Sequence, residues 1–294
     1  MKKLFSLLLT LSLVLALAAC GSSSSGSSSA PAEAQGTDGG NTVFRVGMEC
    51  AYAPYNWTQM DDANNAVPIS NVPGAYANGY DVQIAKKIAD ANGWNLEIVS
   101  TAWDSLTPSL QSGTIDAAIA GQSMTADRMA EVDMAGPYYY ANIVLVTKKD
   151  SPFAAAKGIA DLKGGKCTAQ SGTIWYDTCL PQIPDANLQT ASETAPSMIM
   201  ALQTNTVDFV CTDMPTAMGA VATNPDMVIL DFAGTDGDFQ FASETERAEN
   251  VNIGISVKKG NTGLLDAMNT VLSGMTEADF TAMMDAAIAV QPEA

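Results

Sequence analysis

Between residues 42 and 120 short apolar runs alternate with amphipathic stretches, and that alternation confines the chain to an α/β fold. Thr42-Val43-Phe44-Arg45-Val46-Gly47 reads as an alternating strand, and a turn-rich segment at 54–78 leads to Gly79. Val82, Ala85, Ile88 and Ala89 then recur at helical spacing through 81–92, and Gly93 ends the pattern. A strand at 96–99, a short helix at 106–111 stopped by Gly113, and a buried strand at 115–120 follow. A β-α-β-α-β order calls for crossover helices and a mostly parallel sheet covered by them. The pattern recurs with strands at 143–147, 166–170, 188–190, 207–211 and 227–230, separated by helical pieces at 160–162, 173–180, 195–203 and 215–222. An irregular acidic stretch at 231–249, a strand at 253–257 and helices at 264–272 and 277–288 complete the chain. The prediction is two lobes, each a mostly parallel sheet flanked by helices. A ligand cleft is expected between them, at the carboxyl ends of the strands.

Residues 1–40 belong to neither unit. Lys2 and Lys3 precede an apolar run at 4–17 that ends in Leu17-Ala18-Ala19-Cys20. A basic start, a short apolar stretch and small residues before a cut site describe a secretory signal. The run is shorter than the ~20 residues needed to span a bilayer. Leu-Ala-Ala-Cys resembles the bacterial lipobox, so 1–19 is expected to be removed and Cys20 to carry a lipid anchor. Residues 20–40 are almost wholly Gly, Ser, Ala, Pro and a few acids, the composition of a flexible tether. The expected place is therefore outside the cytoplasm, held to the bacterial cell membrane.

With 14 basic against 32 acidic residues, a net charge of −18, the chain has no basic footprint for nucleic acid or for anionic lipid. It contains no histidine, which excludes Ser-His-Asp and Cys-His nucleophile systems. Cys50, Cys167, Cys179 and Cys211 show no Cys-x-x-Cys spacing, so neither metal nor cofactor is expected. A Cys167–Cys179 disulfide is open to an exported protein, and four separately buried thiols are the preferred alternative. Gly164-Gly165-Lys166-Cys167 lacks the first glycine and the hydroxyl of a phosphate-binding loop, so ATP hydrolysis is assigned to another protein.

Several motifs, in order, carry a resemblance. They are Gly79-Tyr80-Asp81-Val82, Leu110-Gln111-Ser112-Gly113-Thr114-Ile115-Asp116, Ala120-Gly121-Gln122-Ser123-Met124-Thr125-Ala126-Asp127-Arg128, Pro137-Tyr138-Tyr139, Leu162-Lys163-Gly164-Gly165-Lys166, Gln170-Ser171-Gly172-Thr173 and Val207-Asp208-Phe209-Val210-Cys211-Thr212-Asp213. Together they resemble the polar-amino-acid family of bacterial solute-binding proteins, over about residues 43–259. The resemblance implies a two-lobed periplasmic-binding-protein fold with two hinge crossings, near 139–142 and 252–256. It puts residues 41–140 and 254–294 in the first lobe and 141–253 in the second. It implies capture of a polar or cationic amino acid and delivery to a membrane permease powered by an ATPase subunit, with no catalysis. The alternatives are an enzyme on the same scaffold, a cyclohexadienyl-type dehydratase, or a ligand-sensing partner of a membrane receptor.

The candidate site follows residue by residue. Thr125 with Asp127 reads as a helix start, which would place backbone N–H groups and the Arg128 guanidinium beside one spot, a receptor for a carboxylate. The resemblance gives Arg128 the ligand's α-carboxylate, assisted by Ser123 and by Gly172-Thr173. It gives Asp213 the α-ammonium, shared with the Gly121 carbonyl. The competing structural reading of Asp213 is an N-cap for the helix near Pro215. Tyr52 and Trp103 match positions that sandwich a ligand side chain, and core packing is the alternative for each. Glu49, with Gln170 in reach, would make the pocket suit Lys, Arg, His or Gln. The loop at 61–78 is longer than in the simplest relatives and is expected to shape the cleft mouth.

Overall fold

The computed structural model describes residues 37–38 and 41–292. The expected leader, Cys20 and most of the tether lie outside the described residues. Strand Asn41–Met48 turns Phe44, Val46 and Met48 into the core and runs parallel to both Asn95–Ser100 and Ala117–Ser123. Helix Tyr80–Asn92 buries Val82, Ile84, Ala85 and Ile88. It ends at Gly93, whose φ of 67° lets its N–H reach the Ala89 and Asp90 carbonyls, a left-handed cap that suits glycine. Helix Leu106–Ser112 buries Leu106 and Leu110. Each buried Val, Ile or Leu among them contributes about 1.5–3 kcal/mol, so these rows decide which helix face meets the core.

Strand Ile253–Lys258 lies antiparallel between Ala117–Ser123 and Val132–Tyr139 and completes the first sheet. The second sheet holds, in order, Asn187–Leu188, Lys166–Thr168, Phe209–Asp213, Ile143–Lys148 and Met227–Leu230. Its first three strands are parallel, and Ile143–Lys148 is antiparallel to both its neighbours. The chain thus leaves the first sheet through residues 140–142 and re-enters it after Asn252, giving two lobes joined by two crossings. Helices Thr262–Leu272 and Glu277–Val290 pack on helix Tyr80–Asn92. Beyond them Gln291 donates from Nε2 to the Gly219 carbonyl of the second lobe at 3.2 Å.

The α/β order read from the sequence is present, but each sheet is mixed rather than mostly parallel, because Ile253–Lys258 and Ile143–Lys148 each run antiparallel to both neighbours; the other departures have local causes. Strand Val132–Tyr139 was not anticipated because its buried residues, Val132, Ala135 and Tyr138, fall three apart where its register against Ile253–Lys258 shifts. The segment at 54–78 is not a plain loop. Ala51–Tyr52, Asn56–Gln59, Tyr76–Asn78 and Val67–Pro68 form a small four-stranded sheet. From it Ile69 bridges Ile98, and Asn71 brackets Ser100, accepting from its N–H and donating to its carbonyl at 2.9 Å each. The insertion therefore covers the exposed edge of the first sheet. The acidic stretch expected to be irregular contains helix Glu244–Val251, whose first turn Ser243 caps while Glu246 reaches back to the Ala242 N–H. The helix expected at 173–180 is a π-type turn, Trp175–Cys179. Cys50, Cys167, Cys179 and Cys211 are all free and buried, the four-thiol alternative.

Candidate functional site

The site is organised around the end of strand Ala117–Ser123. Its ladder to Asn41–Met48 runs only through Ala117 and Ala118. On the other side its register against Ile253–Lys258 shifts between Gly254 and Ser256, opposite the stretch where Gly121 takes a φ of +63°. A Cβ on Gly121 would stand 2.7 Å from the Tyr52 ring. The irregular strand end can thus turn main-chain groups toward the other lobe. A buried polar chain fixes it from below. The Gly121 N–H donates to the Tyr138 hydroxyl at 3.0 Å, which donates to Asp81 at 2.7 Å. Asn56 donates to the other Asp81 oxygen at 2.7 Å and accepts the Cys50 N–H at 2.7 Å, next to Glu49. Burial pushes the Asp81 carboxyl up to about 7, against the pull of these two donors.

Past Ser123, Thr125 caps helix Ala126–Glu131 as expected, accepting the Arg128 N–H at 3.2 Å. The Arg128 guanidinium donates to the Ser123 carbonyl and makes a long contact of 3.5 Å to the Gly172 carbonyl in the second lobe. Its Cζ lies 5.5 Å from the centre of the Trp103 ring. Burial draws Arg128 down to about 10, so it remains a cation at neutral pH. Arg128, Trp103, Gln122 and Gly172 line an open cavity of about 600 Å³, with Asp104 and Glu131 at its wall.

Asp213 ends strand Phe209–Asp213 with 1% of its surface exposed, and burial raises its pKa. One carboxylate oxygen caps helix Met214–Thr223, accepting the Thr216 N–H at 2.8 Å. The other accepts the Tyr52 hydroxyl from the first lobe at 2.8 Å. Thr216 in turn donates its hydroxyl to the Tyr52 oxygen at 3.0 Å. The N-cap reading of Asp213 is thus present, and a carboxylate with two acceptor oxygens keeps lone pairs for a further donor.

Glu49 is half-buried, and burial raises its carboxyl to about 7, opposed by the Gln170 side chain. Gln170 Nε2 stands 3.4 Å from both Glu49 oxygens and 3.3 Å from the Glu193 carbonyl.

The structure therefore gathers the residues read from the sequence into three groups that bridge the lobes: Arg128 with Ser123, Trp103 and Gly172; Tyr52 with Asp213, over Gly121; and Glu49 with Gln170. Two differ from expectation in detail. The Tyr52 ring stacks on Tyr55, centroids 5.0 Å apart at 21°, while its hydroxyl serves Asp213. Thr173 directs its hydroxyl to the Gln170 carbonyl at 2.7 Å, which holds its own loop. The sequence reading missed Thr216, directly after the Pro215 it used, and the buried set of Tyr55, Asn56 and Tyr138. Tyr55 follows Pro54 directly, and Tyr138 lies in a motif already singled out, so position alone could have flagged both.

Residues 44–285 match the family described as bacterial extracellular solute-binding proteins, family 3. A probable histidine-binding protein of Campylobacter jejuni is 29% identical over 211 residues, 71% of this chain and 75% of that protein. The ABC transporter arginine-binding protein 1 of Escherichia coli is 27% identical over 236 residues, covering 80% and 85%. Among solved structures, the arginine-bound form of truncated ArgBP from T. maritima superimposes with a TM-score of 0.63 at 29% identity, covering 80% of this chain and 96% of that one.

Proposed function

Because the chain belongs to the bacterial extracellular solute-binding proteins, family 3, we propose that it is the extracytoplasmic substrate-binding component of an ABC importer for a polar or cationic amino acid. The observation that carries this reading is a pair of opposite charges, one supplied by each lobe. The Arg128 guanidinium comes from the first lobe and the buried Asp213 carboxylate from the second. A zwitterion enclosed between lobes needs both of its charges met, since an unpaired buried charge costs several kcal/mol. Arg128 takes the α-carboxylate, with Ser123 and the Gly172-Thr173 turn beside it. Asp213 and the Gly121 carbonyl take the α-ammonium. Trp103 and Tyr52 flank the side chain, and Glu49 with Gln170 favours a cationic or amide end. The curated relatives bearing histidine-binding and arginine-binding names agree with that preference.

Contacts available only when both lobes meet the ligand favour the closed form, which then docks on a permease driven by an ATPase subunit. Residues 41–140 with 254–294 form one lobe in this reading and 141–253 the other, tethered through a lipid on Cys20. Thermal unfolding against the twenty amino acids, cystine and ornithine tests the ligand class, since a ligand at a hundred times its Kd adds about 2.7 kcal/mol. One or more polar or cationic amino acids should raise Tm, and Arg128→Ala and Asp213→Ala should each abolish the rise. No rise with any of them would refute the reading. Loss of the protein from the membrane fraction in Cys20→Ser tests the anchor.

One observation favours a second reading, an enzyme of the cyclohexadienyl-type dehydratase kind. Glu49, held near 7 in the cleft, has the range of a general acid. Turnover of a cyclohexadienyl substrate that disappears in Glu49→Gln would establish it.

A further inference from the structure

Among the described residues, one buried side-chain polar atom has no hydrogen-bond partner: the hydroxyl of Tyr55. The residue is fully enclosed, at 0% exposure. Its ring lies against that of Tyr52 and meets Tyr80 and Tyr139 edge-on. Its Cγ lies 3.3 Å from where a Cβ on Gly121 would stand. The root of the Tyr55 ring thus lies against Gly121, one of the two groups assigned above to an α-ammonium. Its nearest stacked neighbour is the tyrosine that already bonds Asp213.

A buried hydroxyl without a partner destabilises the fold that encloses it, and phenylalanine would supply the same ring without that penalty. Such an atom calls for a reason, and uptake of a ligand group is one. The surroundings define the chemistry of that group. Asp213 is an acceptor, the Gly121 carbonyl is an acceptor, and a phenol oxygen accepts as readily as it donates. A group placed among them is a donor of several N–H bonds bearing positive charge.

We propose that the Tyr55 hydroxyl is a further ligand contact, accepting a hydrogen bond from the α-ammonium of the bound amino acid alongside Asp213. The proposal rests on the amino-acid reading above and adds to it a specificity rule. Asp213, the Gly121 carbonyl and Tyr55 offer three acceptors, one for each N–H of a primary ammonium. An N-methylated amino acid has one N–H too few for this set.

The test is Tyr55→Phe in the whole protein, with two measurements. The first is thermal unfolding without ligand. The second is the calorimetric Kd of whichever of the twenty amino acids, cystine and ornithine the wild type binds. Without ligand the variant should unfold at the wild-type temperature or above it, because an unpartnered hydroxyl has been removed. Its affinity should fall roughly ten- to a hundredfold, the loss of one hydrogen bond to a charged group. The N-methyl form of the same amino acid should bind the wild type more weakly than its parent. Wild-type affinity in Tyr55→Phe overturns the proposal. So does a ligand-free Tm that falls together with the affinity, since that marks a hydroxyl serving the fold alone. If the wild type binds none of these amino acids, the functional reading fails first and the proposal falls with it, and that result is read before any substitution is made.

Discussion

The hydroxyl of Tyr52 is the firmest hydrogen bond between the lobes at the candidate site, and removing it should open the molecule. It donates to Asp213 at 2.8 Å and accepts from Thr216 at 3.0 Å, all three residues being buried. Tyr52→Phe keeps the ring and its stacking on Tyr55 but takes a donor from a buried carboxylate and an acceptor from a buried hydroxyl. A hydrogen bond to a charged group contributes about 1.5–3 kcal/mol. The Gln170 and Arg128 contacts that also cross between the lobes are long, at 3.4 and 3.5 Å, and compensate little. A loss of about 2 kcal/mol from the closed form corresponds to roughly a thirtyfold shift toward the open one. Small-angle X-ray scattering on ligand-free protein reads this as a larger radius of gyration in Tyr52→Phe. A radius indistinguishable from wild type, with an unchanged Tm, would refute the reasoning.

Two further outcomes follow from the strand end and its support. Burial holds Asp81 near 7 against an ordinary 3.8, so the folded protein keeps a proton that the unfolded chain releases. This contribution to stability is complete below about pH 4 and is lost as pH climbs through about 7. Tm should therefore fall between ~pH 5 and ~pH 8, with Glu49 acting in the same direction. Asp81→Asn should lessen the fall, and a fall of wild-type size in the variant would refute the assignment. Gly121→Ala puts a side chain at a φ of +63° and 2.7 Å from the Tyr52 ring. A cost of about 2 kcal/mol should lower Tm by roughly 4–8 °C, followed by circular dichroism, and an unchanged Tm would remove the strain argument.

Periodicity carried much of the fold because most buried helices and strands repeat their apolar residues without interruption. Helix Ala195–Gln203 and strand Met227–Leu230 have the limits the pattern indicates. Where tertiary pairing overrides local pattern, reading fails. Val132–Tyr139 looks like neither strand nor loop because its register shifts, and Phe209–Asp213 lies two residues later than expected because Asp213 both ends the strand and caps a helix. At the candidate site, residue types were legible at Asp213 and Glu49, where a charge stands in a largely apolar context, and at Arg128, where it follows a helix-start pattern. Partnerships were not. That Tyr52 bonds Asp213, or that Asn56 and Tyr138 share Asp81, depends on contacts between residues far apart in the chain. No local spacing encodes such contacts.

The position of Ile253–Lys258 inside the first sheet has a consequence for how the molecule is assembled. All strands of the second sheet lie within one unbroken stretch, from Ile143 to Leu230. That stretch emerges whole during synthesis, so it can acquire its sheet early. The first sheet cannot be completed in the same way, because Ile253–Lys258, wedged between Ala117–Ser123 and Val132–Tyr139, is supplied close to the end of translation. Until it arrives, two strands stand with open edges, and closing so long a loop is slow. The lobe that begins first thus finishes last, and a chain cut short before residue 253 would leave it with a gap through its centre.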